Sequence, residues 1–229
     1  MKKIHMFVVI FVCTIAAVFG SWNHASALSL FETLPADNSY NSPHFVSVDD
    51  NFGNTSATTA VDKDWAWMWT PTVDGTIDSI EVALSNQDQY TPVFENEVDV
   101  WIAADSGGLP GAVIDSYHFS GMTSEIAGGS VVNGASSTNA LVTAGTTYWF
   151  WVSAGIPGNG LYGSIGTHVN NTGVTGQNWT LEDGAWSLSS AGTIGAFRIS
   201  GTPVPEPSTL LLLGSGLAGL GFVRRRFRG

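Results

Sequence analysis

Short stretches of alternating apolar and polar residues constrain the fold of this chain more than any other feature of its sequence. In "TIDSIEVAL", Ile80, Val82 and Leu84 share one face of an extended chain, and this period of two indicates a half-buried strand. Clusters of Gly, Asn, Asp, Ser and Pro separate such stretches and mark turns. No long stretch between the two ends of the chain has a helical period, so the sequence predicts an all-β domain.

One-sided burial of this kind is typical of antiparallel sheets that pack face to face. The only cysteine, Cys13, lies near the N-terminus, so no disulfide framework holds the domain and its core must do so. We predict an antiparallel β-sandwich of the jelly-roll kind over residues 28–200. The predicted strands are His44–Val48, Asp64–Thr70, Thr76–Leu84, Glu97–Ala103, Ala112–Phe119, Thr138–Val142, Thr147–Ser153, Leu161–Ile165 and Ile194–Ser200.

The N-terminus has the three parts of a secretory signal peptide. Lys2-Lys3 supplies the basic start, an apolar run extends from Met6 to Phe19, and Ala25 and Ala27 form a small-x-small cleavage site. The run is shorter than the ~20 apolar residues that span a bilayer. We therefore expect residues 1–27 to direct export through the Sec machinery and to be removed after Ala27.

The charge of the central segment narrows the class of partner. Between Leu28 and Pro205, 18 acidic residues stand against two basic residues, Lys63 and Arg198, which gives a formal charge of −16. Such a surface repels nucleic acid and anionic lipid headgroups. We therefore expect no nucleic-acid partner.

Two segments are unusually rich in tryptophan. "DWAWMWT" places Trp65, Trp67 and Trp69 on one strand face, and "TYWFWVS" is apolar on both faces, with Trp149 and Trp151 on the same face. The rings could form a platform for stacking sugar rings or a tryptophan-rich core, since large aromatic side chains supply much of a core's buried area. We interpret both segments as core strands, the second as a central strand covered by loops.

Trp101 differs from these tryptophans because of its neighbours. It shares a strand face with Glu97 and Asp99, opposite the three apolar residues of "EVDVWIA". An outward tryptophan beside two carboxylates is suited to contact a ligand, and it is equally suited to lie under a loop. Both interpretations stay open, and these three residues are the candidate ligand contacts.

No catalytic motif stands out in the central segment. It has no G-x-S-x-G and no H-E-x-x-H, and its histidines, His44, His118 and His168, are widely separated. We expect each histidine to lie at the surface or partly buried. Paired carboxylates occur among turn residues, where a solvated loop explains them. We assign no catalytic residue and predict that the protein is not an enzyme.

Calcium is the one cofactor that the residue types suggest. Carboxylate and carbonyl oxygens suit hard cations, and Asp37-Asn38, Asp49-Asp50-Asn51 and Asp62-Lys63-Asp64 could supply them. None of these clusters matches the spaced D-x-[DN]-x-[DN]-G loop. A structural calcium ion is therefore an expectation from residue types alone, and no metal ligands are assigned.

The loop "ADSGGLPGAVIDS" has a distinctive order of turn residues. Gly107-Gly108 and Pro110-Gly111 signal a tight connection between two strands. The stretch resembles the "DSGG-x-PG" hairpin of secreted bacterial jelly-roll domains. That resemblance covers about a dozen residues and implies the same sandwich architecture.

The C-terminus contains three consecutive parts. Residues 201–207 hold three prolines and are predicted to form a stiff linker. Residues 208–223 form an apolar run that, as a transmembrane helix, would be about 24 Å long at 1.5 Å per residue, short for a bilayer core of about 30 Å. The tail 224–229 is arginine-rich and should stay cytoplasmic as a stop-transfer signal; its arginines are Arg224, Arg225, Arg226 and Arg228.

This order of parts closely resembles the PEP-CTERM sorting signal. "VPEPSTLLLLGSGLAGLG" followed by "RRRFR" matches that signal in composition, order and position. The resemblance implies recognition by an exosortase, a membrane processing enzyme, with cleavage at or near Pro205-Glu206-Pro207. It also implies a bacterium that makes extracellular polysaccharide and places such proteins on its surface or in a biofilm matrix. The sorting motif consists of Val204, Pro205, Glu206, Pro207 and Ser208.

Three classes of function stay open for the exported domain. The first is a non-enzymatic surface or matrix protein that binds extracellular polysaccharide. The second is a purely structural exported domain, and the third is a secreted hydrolase of matrix glycans. The short apolar run, interrupted by glycines, favours a transient stay in the membrane before transfer to the surface or the matrix.

Overall fold

A computed structural model describes residues 28–48, 63–86, 97–124, 127–153, 165–182, 184–204 and 213–217. The signal cleavage residues Ala25 and Ala27, the motif residues from Pro205 to Ser208 and the arginine tail lie outside these ranges.

The described residues form thirteen strands. Their bounds are β1 Leu28–Glu32, β2 Asn41–Val48, β3 Lys63–Trp69, β4 Gly75–Asn86, β5 Glu97–Asp105, β6 Pro110–Ser120, β7 Ser130–Ala135, β8 Leu141–Val142, β9 Tyr148–Ser153, β10 Ile165–Val169, β11 Thr175–Glu182, β12 Ala185–Thr193 and β13 Phe197–Pro203.

Two antiparallel sheets make up the domain. One has the strand order β1-β13-β4-β10-β2, with β7 and β8 also paired to β4, and the other has the order β12-β11-β3-β9-β5-β6. The all-β class and the two antiparallel sheets are confirmed. The jelly-roll subtype stays a prediction.

The core lies between the sheets and is built around aromatic rings. Phe150 of β9 stacks on Phe197 of β13 with centroids 4.0 Å apart and ring planes 12° apart. Trp67 of β3 lies 6.4 Å from both rings, and it donates its indole N–H to Asn178 Oδ1 at 2.7 Å. Because Trp67 and Trp69 are buried in this core, the interpretation of "DWAWMWT" as a core strand is confirmed.

The predicted strand faces agree with the burial pattern. The residues predicted to face inward are fully buried in the core: Ile80, Val82 and Leu84 of β4, and Val98, Val100 and Ile102 of β5. In β13, Phe197 and Ile199 point inward, and Arg198 pairs with Glu81 and Glu32 on the other side of the strand. The period of two therefore identified the core face wherever apolar residues alternated.

Four strands have no counterpart among the predicted ones: β1, β7, β11 and β12. β12, "AWSLSSAGT", is mostly exposed along its length, so no apolar alternation marks it. The predicted strand Leu161–Ile165 meets β10 only at Ile165, and its other residues lie outside the described ranges.

His168 corrects the expectation that every histidine lies at the surface or partly buried. Its side chain is fully buried in β10, and its ring lies 4.6 Å from that of Tyr40. Burial lowers the pKa of His168 because the charged imidazolium loses solvation. We expected His168 near the surface because its side chain is polar, but packing within the fold buries it.

The boundary between the domain and the linker lies later than predicted. β13 continues to Pro203, with Gly201, Thr202 and Pro203 paired to β4, and the backbone N–H of Val204 donates to Asp74 O at 2.9 Å. The first three residues of the predicted linker are therefore part of the sheet, because β4 offers them backbone partners.

Within the predicted transmembrane segment 208–223, the described residues 213–217 form one short helix. No helix in the described part of the chain has the length and apolar character needed to cross a membrane.

Gly201→Ala tests the revised boundary. A Cβ at this position would collide with the carbonyl oxygen of Thr76 and with the side chain of Leu30. We expect the free energy of unfolding, measured by urea denaturation, to fall by about 1–3 kcal/mol because the added methyl overpacks the sheet.

Gly192→Ala is the matched control, since a Cβ there meets only Asn178 Nδ2 at 3.8 Å. In a flexible linker, the Gly201 substitution would be neutral or stabilising. Equal stabilities of the two variants would therefore contradict the assignment of Gly201 to the sheet.

Candidate functional site

The outer face of the six-stranded sheet carries a cluster of tryptophans. We call this cluster the outer tryptophan face. Trp149 is fully buried in it together with Ala66 and Ala103, and the other members are partly buried. An outer sheet face exposed to water is ordinarily polar, so such a concentration of indole rings needs an explanation. The members are Trp101, Trp149, Trp151, Trp179 and Trp186.

Strand register brings these residues together. Trp179 of β11 pairs with Ala66 of β3, Ala66 pairs with Trp151 of β9, and Trp151 pairs with Trp101 of β5. The two ends of this row are Leu188 on β12 and Ser116 on β6. With neighbouring strands about 4.8 Å apart, the row extends roughly 24 Å across the sheet.

Small residues leave room for the rings. Ala66 lies between Trp179 and Trp151 in the row, and Ala103 pairs with Trp149 on the other side of β9. Because alanine side chains are short, the large indoles of adjacent strands can spread over them.

The rings meet edge to face. Trp101 and Trp151 have centroids 4.4 Å apart and an interplanar angle of 83°. Trp151 meets Trp186 at 5.2 Å and 77°, and Trp149 meets Trp179 at 6.0 Å and 88°. Aromatic quadrupoles favour this geometry, and each such pair contributes about 0.5–1.5 kcal/mol beyond its buried area. The rings therefore fix each other's orientation.

Polar side chains hold the indole N–H groups. Trp151 donates to Asp64 Oδ2 at 2.8 Å, and Trp149 donates to Asp105 Oδ1 at 2.9 Å. Trp179 donates to Gln177 Oε1 at 3.3 Å. These bonds satisfy the indole N–H groups of all three rings.

A cluster of three polar side chains lies at the β6 side of the outer tryptophan face. His118 Nδ1 lies 2.9 Å from Asp99 Oδ1, and His118 Nε2 lies 3.8 Å from Glu97 Oε2. The Glu97 side chain remains 46% exposed and that of Asp99 19% exposed. The sequence grouped Trp101 with these two carboxylates. The structure adds His118, which β6 brings opposite Asp99.

Trp149 and Trp151 have different environments on one strand face. Trp149 is fully buried, whereas Trp151 is partly buried between Trp101 and Trp186. β9 is a central strand as predicted, since β3 and β5 flank it. Its second apolar face contributes to the outer cluster and not to the main core.

The sequence interpretation missed Trp179 and Trp186. They lie on β11 and β12, whose hairpin turns at Gly184 with φ of 77°. The sequence "NWTLEDGAWSL" carries the signal that was overlooked, because an Asp-Gly pair between two potential strands is a strong hairpin marker.

The calcium expectation gains no geometric support. Asp37 Oδ1 accepts from Ser39 Oγ at 2.7 Å and from Ser39 N at 3.1 Å, and these bonds lower the pKa of the Asp37 carboxyl. The described ranges contain no group of three or more histidine, cysteine, aspartate or glutamate residues placed to hold a metal ion. The cluster Asp49–Asn51 lies outside those ranges.

The two ends of the domain meet at one edge of the fold. Leu28, at the start of β1, pairs with Gly201 of β13, and Pro203 ends β13 beside Gly75. Residues 203–226 match the family model of the PEP-CTERM protein-sorting motif.

The chain carries an exosortase sorting signal. The matched PEP-CTERM segment begins at the last residue of β13 and includes Val204–Ser208 and Arg224–Arg226, while Arg228 lies beyond its end. It indicates an exported protein that exosortase, a membrane enzyme, sorts and processes. No curated protein matches the sequence in a comparison of whole chains.

Trp151→Phe tests how the outer tryptophan face is held. The substitution keeps an aromatic ring but removes the donor to Asp64, whose carboxylate is only 7% exposed. We expect the free energy of unfolding to fall by about 1–3 kcal/mol, the cost of a lost bond to a buried acceptor.

Trp186→Phe is the control, because Trp186 contacts Trp151 from the exposed strand β12. Thermal or urea denaturation compares the two variants. If both lose the same stability, the bond to Asp64 is not what holds this face.

Proposed function

We propose that this exported protein is a non-enzymatic surface or matrix protein whose outer tryptophan face binds polysaccharide. The observation that carries the proposal is the cluster of indole rings assembled from β5, β9, β11 and β12 on the outside of a sheet. Four of the five rings are partly accessible to solvent, and contiguous accessible apolar surface on a soluble protein marks an interaction site. This patch is also framed by carboxylates and a histidine.

Indole faces and sugar rings have complementary surfaces. The C–H groups on one side of a pyranose ring form an apolar patch that fits a flat aromatic face, while the hydroxyl groups point outward. Glu97 and Asp99, beside Trp101, offer acceptors for such hydroxyls. An apolar surface with a few placed polar groups is the usual design of a ligand site.

Charge restricts the kind of polysaccharide. The segment between Leu28 and Pro205 has a formal charge of −16, which repels uronate and sulfate groups at moderate ionic strength. Neutral polymers escape this repulsion, and polymers with amino groups gain attraction. The proposal is therefore for a neutral or amino-bearing glycan.

The termini fit a domain held close to the membrane during sorting. Both Leu28 and Pro203 lie at the same edge of the fold, so a signal peptide and a C-terminal transmembrane segment would approach the same surface. Sheet pairing extends to Pro203 and Val204 is bonded to Asp74. The segment from Val204 to Ser208 can then extend at most roughly 14 Å.

Transient anchoring predicts a defined processed end. We expect mass spectrometry of the mature protein, from cells with an active exosortase, to show an N-terminus at Leu28. The C-terminus should lie at or near Pro205-Glu206-Pro207. A protein that ends in Gly229 in those cells would contradict transient anchoring.

The carboxylates of the described core are engaged in ways that favour a binding role over hydrolysis. Asp115 accepts from Tyr117 Oη and Ser136 Oγ, both at 2.6 Å, and Asp64 accepts from Trp151. Both residues are almost fully buried, so neither can come within hydrogen-bond reach of a glycan as a general acid or base. A secreted glycan hydrolase and a purely structural domain are the alternatives.

Glycan retention tests the proposal. Affinity electrophoresis of the exported protein through a neutral β-glucan, through a partly deacetylated N-acetylglucosamine polymer and through alginate compares the three charge classes. We expect retention by one of the first two and none by alginate. Trp101→Ala and Trp186→Ala should each weaken retention about tenfold, equivalent to about 1.4 kcal/mol.

Leu141→Ala is the matched control, since Leu141 is 62% exposed on the other sheet; its retention should equal that of the wild type. No retention by either gel would favour the purely structural domain. Release of new reducing ends from a glycan, lost on substitution of one carboxylate, would identify a hydrolase instead.

A further inference from the structure

β12 forms one edge of the six-stranded sheet, and β6 forms the other. Within the described part of the chain, β12 pairs only with β11, on one side. Its residues are mostly exposed, and Leu188 is 51% exposed on the side of the outer tryptophan face. An edge strand presents a row of backbone donors and acceptors that another strand can pair with.

Three of the other edge strands, β1, β2 and β6, carry residues that discourage such pairing. β1 has Glu32 and β2 has Pro43, while β6 begins at Pro110 and contains Asp115. β12, "AWSLSSAGT", has no charged residue, no histidine and no proline in nine residues. Its one irregularity is a bulge where Asn178 and Trp179 of β11 face Ser190 and Leu188, which leaves a regular run on each side.

We propose that β12 pairs antiparallel with β12 of a second copy of this chain. Two copies of a domain with a formal charge of −16 repel each other wherever their carboxylates meet. β12 brings two uncharged strands together, so this edge avoids that repulsion. A two-fold contact also lets each strand supply the donors and acceptors that the other needs.

Charge at the end of the hairpin selects the antiparallel direction. Glu182 pairs with Ala185 at the start of β12. A parallel arrangement would place the Glu182 carboxylates of the two copies at the same end of the contact. The antiparallel arrangement separates them to opposite ends, roughly 30 Å apart for nine residues at about 3.3 Å each.

The pairing would join two six-stranded sheets into one continuous sheet. Trp186 and Leu188 lie on the outer face of β12, so their counterparts in the second copy would extend the apolar surface across the two-fold axis. Pairing of β12 requires its uncharged edge and does not require a bound glycan, so either proposal can fail without the other.

Single cysteines test the contact in the full exported chain. The only natural cysteine is Cys13, so a Cys13→Ser background allows one cysteine at a time at Ser187, Leu188, Ser189 or Ser190. A disulfide between identical positions requires Cα atoms within about 7 Å, and in an antiparallel pair only positions next to the two-fold axis meet this condition. Non-reducing electrophoresis of the secreted protein measures the dimer fraction.

We expect a majority of disulfide dimer at one β12 position and a sharp decline two or more residues away. Val113→Cys is the matched control, because Val113 is 48% exposed on β6 at the opposite edge. Val113→Cys should give less than a tenth of the dimer fraction measured at that β12 position. Similar crosslinking at Val113 and at every β12 position would overturn the proposal.

A charge at the edge provides an independent readout without cysteine. Ser189→Lys, at the middle of β12, should reduce dimerisation at least tenfold in sedimentation equilibrium, because the two added charges lie close together in the antiparallel pair, whereas Ser120→Lys on β6 should leave it unchanged. A wild-type protein that sediments as a monomer at all concentrations would overturn the proposal. So would a β12 crosslink to a protein of different mass.

Discussion

The stacking of Phe150 on Phe197, 4.0 Å between centroids, joins the two sheets at their centre, and the rest of the structure depends on it. Phe150 belongs to β9, which is paired on both sides. Since alternate residues of a strand point to opposite faces, an inward Phe150 requires Trp149 and Trp151 to point outward. The core contact therefore also positions the outer aromatic surface.

This arrangement gives the candidate site a rigid support. Trp151 lies between Trp101 and Trp186, and its N–H is fixed by a buried carboxylate. A binding surface whose side chains are already ordered loses little conformational entropy when a ligand arrives. The exposed hairpin β11–β12 then has two roles, since it supplies two of the tryptophans and ends the sheet with an uncharged edge.

Where apolar residues alternate, as in β4 and β5, the sequence predicted both the strand and its buried face, because burial of one face is what produces the pattern. β12 escaped prediction because backbone pairing with β11, rather than burial of its own side chains, holds it. Trp101 was found with Glu97 and Asp99, but its contact with Trp151 depends on pairing between strands about fifty residues apart. No local pattern encodes that register, so the site was recognised only in part.

Indole N–H resonances in a ¹⁵N–¹H spectrum test glycan binding by the outer tryptophan face most directly. Titration with soluble fragments of a retained polysaccharide should shift the signals of Trp101, Trp179 and Trp186. The signal of Trp67, whose N–H is bonded to Asn178 inside the sandwich, should stay in place. Saturating fragments that leave the three outer signals unmoved, or that shift Trp67 equally, would contradict the account.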